Sequence, residues 1–301
     1  MIKVSIIVAN NKPGWTFPRQ VLGSNLEVIV VNNGITGPGN PCKARNDGAK
    51  KARGKYLLFL DNDVRVKKGF LNQAIKYLDQ QPKVGAGLLK ILRTGTNQFD
   101  SAGEMITTNG FLVERARRGE DKGQFDRDEQ IFSGKGAGLV IRKKLFEAVG
   151  GFDEAYIYYW EEPDLLWRVW QSGSEVRFLW MGKVYHDYGT KAKPIPKEPA
   201  VGQVYLACRN QLMTIIKNGK TRRWQMLFWV SLSWLGLETM FLFKGRWQRA
   251  WAIERAWFWL LLHWPKQQIK GSDLWLNQVT IKRDWQWYFG KGLAYISGRE
   301  F

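Results

Sequence analysis

Tyr56-Leu57-Leu58-Phe59-Leu60-Asp61-Asn62-Asp63 decides the fold: five apolar residues in a row run straight into an acidic turn. A short, unbroken apolar run bounded by turn residues is the pattern of a strand buried on both faces, as in a parallel sheet. Working outward, residues 4–8 (Val-Ser-Ile-Ile-Val) and 27–31 (Glu-Val-Ile-Val-Val) repeat the pattern, each closed by a polar cluster at Asn10–Gly14 and Asn32–Gly34. Residues 84–91, 138–141 and 178–185 supply further strands. Between them, residues 42–53, 70–80, 144–149 and 163–171 read as helices, with Gly54 a stop for the first and Pro163 a start for the last. Alternating strands and helices predict an α/β fold, with a Rossmann-like, mostly parallel sheet carrying helices on both faces. Ligands of such sheets bind beyond the carboxyl ends of the strands, where Asn10, Asn32, Asp61 and Asp63 would lie.

The stretch 93–130, rich in glycine and charge, reads as a surface excursion suited to acceptor contacts. Three prolines in 191–199 mark a linker, and after it only helical segments are expected. The division is therefore 1–200 for a catalytic domain and 201–301 for a helical, Trp-rich basic region.

Charge is uneven. The chain carries a formal +19, and residues 191–301 hold 18 Lys/Arg against 6 Asp/Glu, a net +12, with 11 of the 16 tryptophans. Basic residues around Trp-rich apolar runs point to an anionic membrane surface. A nucleic-acid groove would space its aromatics along basic residues instead, so no nucleic acid is expected as a partner. Residues 224–243 are long enough to span a bilayer but contain Gln225, Ser231, Ser233 and Glu238, with basic residues at both ends; residues 250–264 are shorter and contain Glu254 and Arg255. Two helices lying in the interface fit better than two spans. Two distant cysteines, Cys42 and Cys208, fit a reducing compartment, and the apolar run at 4–8 is too short for a signal peptide. These features predict a cytoplasmic protein, peripheral on the inner face of the cell membrane.

Two acidic groups carry the chemistry. Asp61 and Asp63, one residue apart beyond a buried strand, can hold Mn2+ or Mg2+ against a diphosphate. Glu161-Glu162-Pro163-Asp164 sits at a helix entrance beside Trp160, where Glu162 suits a general base. Acidic residues at a helix N-terminus also favour its dipole with no catalytic role. His186 follows a strand and is a candidate metal or phosphate contact; His263, in a Trp/Leu-rich helix, reads as packing.

The collinear set Val-Ser-Ile-Ile-Val (4–8), Val-Ile-Val-Val-Asn-Asn (28–33), Ala-Arg-Asn-Asp-Gly (44–48), Leu-Asp-Asn-Asp (60–63), Asp-Ser-Ala-Gly (100–103), Gly-Gly-Phe-Asp-Glu (150–154), Glu-Glu-Pro-Asp-Leu (161–165) and Tyr-His-Asp-Tyr-Gly (185–189) resembles a family-2 glycosyltransferase. It is similar to the rhamnosyltransferase-like branch over about residues 1–215, including Arg209-Asn210. The resemblance implies a GT-A fold and inverting transfer from a nucleotide-sugar donor to a glycan or lipid-linked acceptor. It implies Asp61 and Asp63 at the diphosphate and metal, His186 as a further metal contact, Glu162 as base with Glu161 beside it, and Asn10, Asn32 and Arg45 bordering the nucleotide. The chain departs from the family at Ala9-Asn10, where Pro-Thr is usual; at Asn32, where Asp is usual; and at Glu162, one methylene longer than the usual Asp. A metal-dependent nucleotidyltransferase and a glycosyltransferase-like binding protein that has lost catalysis are the alternatives.

Overall fold

The computed structural model describes residues 2–18, 23–34, 39–116, 119–187, 199–265, 271 and 275–281. The linker expected at 191–199 lies outside them except for Pro199, as do Tyr188, Gly189 and residues 282–301.

The first strand, β1 (Val4–Asn10), is buried along its whole length. It pairs in parallel with β2 (Leu26–Asn32) on one side and β3 (Tyr56–Asp61) on the other. Side chains alternate across this sheet with period 2. Ile7, Leu57 and Phe59 enter one core, and Ile6, Val8, Leu58 and Leu60 enter the other. Helix α1 (Pro41–Lys51) covers the first face with Cys42 and Ala49; α2 (Asn72–Gln80) covers the second with Ala74, Ile75 and Leu78. Helices on both faces are what unbroken apolar strands require.

The full order of the large sheet is β2-β1-β3-β9-β5-β10-β4, with β6 (Phe99–Ser101) pairing β5. Here β4 is Val64–Arg65, β5 Val84–Arg93, β9 Leu139–Arg142 and β10 Glu175–His186. The sheet is mixed: β9 runs antiparallel between β3 and β5, and β4 antiparallel to β10. The remaining path strands share one direction, so their carboxyl ends, Asn10, Asn32, Asp61, Arg93 and His186, open on one edge.

Several local expectations are corrected. Helix α1 ends at Lys51, ahead of Gly54, with Ala52 already extended. Gly54 serves a close approach instead: a Cβ there would lie 2.6 Å from Ser5 N, and its own N–H donates to Ser5 Oγ at 2.8 Å. Helix α4 (Glu161–Gln171) begins two residues before Pro163, so both glutamates are inside its first turn. The 93–130 excursion contains β6 and a hairpin of β7 (Glu104–Thr107) and β8 (Leu112–Glu114), with Phe99 and Ile106 fully buried. The C-terminal region is not helical throughout: β11 (Thr280–Ile281) pairs in parallel with β7.

Helix α3 (Lys143–Ala148) follows β9 directly. Beyond residue 199 come α5 (Val201–Asn218), α6 (Arg223–Phe243), α7 (Trp247–Leu262) and the short α8 (Leu276–Val279). Buried residues of α4, α5, α6 and α7 belong to the same core cluster as Ile7 and Phe59. Helix α5 is bound to α4 through polar groups in that core: Gln171 Nε2 donates to Asn218 O at 2.7 Å, and Asn218 Nδ2 to Asp164 Oδ1 at 2.8 Å.

Candidate active site

Asp61 closes β3, and the turn after it leads into β4, whose Val64 pairs with His186 at the end of β10. That pairing, together with Asp187 N donating to Asp63 O at 2.7 Å, sets Asp63 beside the imidazole. One potential ligand atom from each of Asp61, Asp63 and His186 lies within 4.8 Å of the others, all half-buried. Two carboxylate oxygens and an imidazole nitrogen on converging strands are a donor set that fits Mn2+ and, through its oxygens, Mg2+.

His186 is held from both sides. Its Nδ1 is 2.9 Å from Asp100 Oδ2 and its Nε2 is 3.1 Å from Asp63 Oδ1. Burial works against the charged ring, but the two carboxylates overcome it and push its pKa up to about 9. Asp100 is in turn gripped by Lys135, whose Nζ donates to its Oδ1 at 2.8 Å and its carbonyl at 3.1 Å.

Arg45 joins the two acidic groups. Its guanidinium, projecting from α1 and only 4% exposed, donates from Nη2 to Asp61 Oδ1 and from Nη1 to Glu162 Oε1, both at 3.0 Å; Glu161 Oε1 is at 4.0 Å. The ring of Phe152 lies beneath it at 5.3 Å. Residues 117 positions apart are thereby fixed as one unit. The structure thus places Arg45 between the acids. Burial raises the Glu161 carboxyl, repulsion from Glu162 adds to this, and Arg45 opposes it, leaving its pKa at about 8. Glu162 is raised by burial as well, with Arg45 as the leading counterweight. The closer contact to Arg45 favours the charged form of Glu162 over that of Glu161.

Asn10 and Asn32 are register partners at the strand ends. Asn10 is buried and committed to its loop, accepting from Asn62 Nδ2 at 2.7 Å and Lys12 N at 3.1 Å. Asn32 is exposed at the mouth. All eight residues singled out from the sequence therefore lie on the carboxyl edge, at the entry of α4 facing it, or, for Arg45, on α1 between the two.

Three further residues hold this site in ways the sequence did not disclose, although two of them, Asp100 and Asn210, lie in motifs that carry the family resemblance. Gly136, in the 3-10 turn Gly136–Gly138, presses on the acids: a Cβ there would lie 2.2 Å from Glu162 Oε1 and 2.8 Å from Arg45 Nη2. Because β9 runs antiparallel, this turn before it falls on the same edge as the carboxyl ends of its neighbours. Asp100 orients His186, as above. Asn210, on α5, secures the turn that delivers α4. Tyr159 and Trp160 both adopt left-handed backbone, φ 70° and 69°, a conformation bulky residues populate only when their surroundings hold them there. Asn210 Nδ2 donates to the carbonyls of Tyr158 and Tyr159 at 2.7 and 2.9 Å, while Arg209 Nε donates to Asn210 Oδ1 at 2.8 Å and fixes the amide's orientation. The paired motif Arg209-Asn210 was visible in the sequence, but its target was not.

Asn210→Asp is isosteric yet replaces the donating NH2 by an acceptor facing two carbonyls. It is expected to lower kcat by about ten- to a hundredfold through misplacement of α4, with Mn2+ affinity nearly unchanged. Steady-state kinetics beside calorimetric Mn2+ titration checks this; equal loss of both would mean general unfolding rather than positioning.

Residues 35–150 match the family model described as glycosyl transferase family 2. Among curated proteins, a pre-mycofactocin glycosyltransferase of Mycobacterium tuberculosis (strain ATCC 25618 / H37Rv) is 25% identical over 216 residues, covering 64% of this chain and 44% of that protein. A dTDP-rhamnosyl transferase, RfbF, of Shigella flexneri is 25% identical over 193 residues, covering 59% of this chain and 62% of that protein. The chain thus spans about half the length of these curated relatives. Among solved structures, a crystal structure of GalNAc-T7 with UDP, GalNAc and Mn2+ superposes with a TM-score of 0.52 at 13% identity, covering 75% of this chain and 50% of that one. At that identity the likeness is one of fold, and the fold is GT-A.

Proposed function

For a chain whose residues 35–150 belong to glycosyl transferase family 2, we propose inverting transfer of a sugar from a nucleotide-diphosphate sugar to an acceptor hydroxyl. The acceptor hydroxyl gives its proton to Glu162, its oxygen forms a bond to the anomeric carbon, and the bond from that carbon to the diphosphate oxygen breaks with its electron pair leaving on the nucleotide. A divalent ion, Mn2+ or Mg2+, held by Asp61, Asp63 and His186 would neutralise charge on the departing diphosphate. Arg45 keeps Glu162 ionised and fixed relative to Asp61. Glu161, holding the proton of the pair, lowers the repulsion that two adjacent carboxylates would otherwise exert on Glu162. The carrying observation is the Arg45 bridge, which ties the base to the acidic turn at 3.0 Å on each side.

The UDP present with GalNAc-T7 and the dTDP-rhamnosyl donor in the name of the Shigella flexneri relative support a nucleotide-diphosphate sugar as donor; a lipid-linked or cell-surface glycan precursor as acceptor is part of the same proposal. Labelled nucleotide-sugars offered with Mn2+ and a glycan acceptor should yield a product whose anomeric configuration, read by NMR, is opposite to the donor's. A product of retained configuration would remove Glu162 from its role, and label transferred from a nucleoside triphosphate instead would reassign the chemistry.

The acidic pair also sets a pH dependence. A base raised above the ordinary carboxylate range works only once deprotonated, so kcat/KM rises with pH through a limb lying above about 4.5. Glu161→Gln swaps a side chain that is already neutral where Glu162 titrates, so that limb should stay in place. A limb displaced to lower pH in this variant would mean that Glu161 is charged there and repels Glu162.

A further inference from the structure

Helix α6 is long and apolar enough to cross a bilayer, yet its residues divide into two sides. Met226, Val230, Trp234 and Phe241 form a buried stripe at spacings of four, four and seven. Trp224, Phe228, Leu232, Leu235 and Phe243 form the opposite, exposed stripe, with Phe243 88% exposed. The buried stripe docks the helix onto the catalytic body. Trp234 Nε1 donates to Gln211 Oε1 of α5 at 3.0 Å, and Gln225 Nε2 to Asn109 Oδ1 of the β7–β8 turn at 3.1 Å. At Gly110 in that turn, a Cβ would come within 3.0 Å of Met226. Helix α7 repeats the division: Ala252, Ile253, Ala256 and Leu260 are buried, while Trp247, Trp251, Phe258 and Leu262 are more than 60% exposed. Helices α6 and α7 pack on each other and both pack on α5, so their outer faces adjoin.

We infer that these adjoining outer faces seat the protein in the headgroup layer of an anionic lipid surface, with both helices lying in its plane. A water-exposed stripe of Trp, Phe and Leu running the length of two helices is far more apolar surface than a soluble chain leaves without an occupant. The charges select that occupant. Arg222 precedes α6 and Arg223 opens it, and Lys244 and Arg246 follow it, both of the latter exposed. A basic rim around a Trp-rich face complements anionic headgroups, where indole rings prefer to sit. Spanning is opposed by the same geometry. A crossing α6 would draw α5 with it, and α5 carries Lys217, which pairs with Asp153 at 2.6 Å and Asp164 at 2.9 Å in the protein interior. It would also carry one of the two basic ends through the hydrocarbon layer. An in-plane helix needs one exposed apolar stripe, and the other stripe of α6 is already occupied by the protein body.

The full-length protein is incubated with vesicles of phosphatidylcholine alone or with one-third phosphatidylglycerol, then floated. Binding to the anionic vesicles should exceed binding to the neutral ones by about tenfold or more and fall with added salt. Leu232→Glu with Trp251→Glu should lower it by about tenfold or more, while Mn2+ affinity measured by calorimetry stays the same. That last readout keeps the test apart from the transfer reaction, which can succeed or fail independently. Carbonate washing of loaded vesicles should release the chain. Equal affinity for both vesicle types, or none for either, overturns the inference. So does resistance to carbonate, which would mean spanning, or a vesicle-free dimer that the same two substitutions dissociate, which would make a second copy the occupant.

Discussion

Replacing Glu162 by glutamine should lower turnover by about a hundred- to ten-thousandfold, the range associated with losing a positioned general base. The amide keeps the size of the side chain and can still accept from Arg45 Nη1, so the bridge to Asp61 persists. What disappears is the capacity to take the acceptor's proton. Donor binding, followed by thermal stabilisation with a nucleotide-sugar, should be nearly that of the unmodified protein. Unchanged turnover would transfer the role to another group; lost donor binding would mean the carboxylate acts on the sugar nucleotide instead. Glu161→Gln provides the internal contrast, because a side chain that already carries a proton loses little on becoming an amide, and its turnover at neutral pH should fall far less.

Replacing Asp63 by alanine should cost at least as much by a different route. It removes a carboxylate from the Asp61, Asp63 and His186 cluster and leaves the His186 Nε2 without its carboxylate partner. Removing a group that only orients a metal ligand typically weakens metal binding by about ten- to a hundredfold. Loss of a direct ligand should therefore exceed about a hundredfold in Mn2+ affinity by calorimetry, with turnover falling in parallel. Asp100→Ala, which leaves Asp61, Asp63 and His186 in place while removing the orienting contact to His186 Nδ1 and the ion pair with Lys135, should fall inside the smaller range. Chelation of the unmodified protein should reproduce the Asp63→Ala loss and be reversed by added Mn2+. Full Mn2+ binding by Asp63→Ala would break the assignment of the cluster.

The strands were legible because burial on both faces leaves an unbroken apolar run. Residues 4–8, 27–31 and 56–60 could scarcely be anything else, and the polar residues closing them are those at the site's edge. Direction was not legible. Leu139–Arg142 reads the same whether it runs up or down, because side-chain alternation does not encode polarity, and the sheet proved mixed at that strand. The short strands of 99–114 were hidden for a different reason: three or four residues carry too few alternations to stand out from a polar loop.

At the site, the acidic residues announced themselves by type and position, whereas the contacts through which other residues position them did not. Arg45, Asp100, Gly136 and Asn210 act through contacts spanning 51 to 117 residues of chain, or, for Gly136, through the absence of a side chain. Nothing local to an arginine on a helix says that it will lie between two carboxylates.

The reversed strand also governs how the molecule can be assembled. Until residue 142 has left the ribosome, β3 and β5 have no neighbour between them, and each presents a bare row of backbone donors and acceptors. A nascent or truncated chain ending near residue 130 would therefore expose two apolar edges at its centre, a template for pairing with other chains. Fragments meant to isolate the first strands of the large sheet should remain dispersed only when they extend through Arg142, and a cut made before it should drive the product into inclusion bodies.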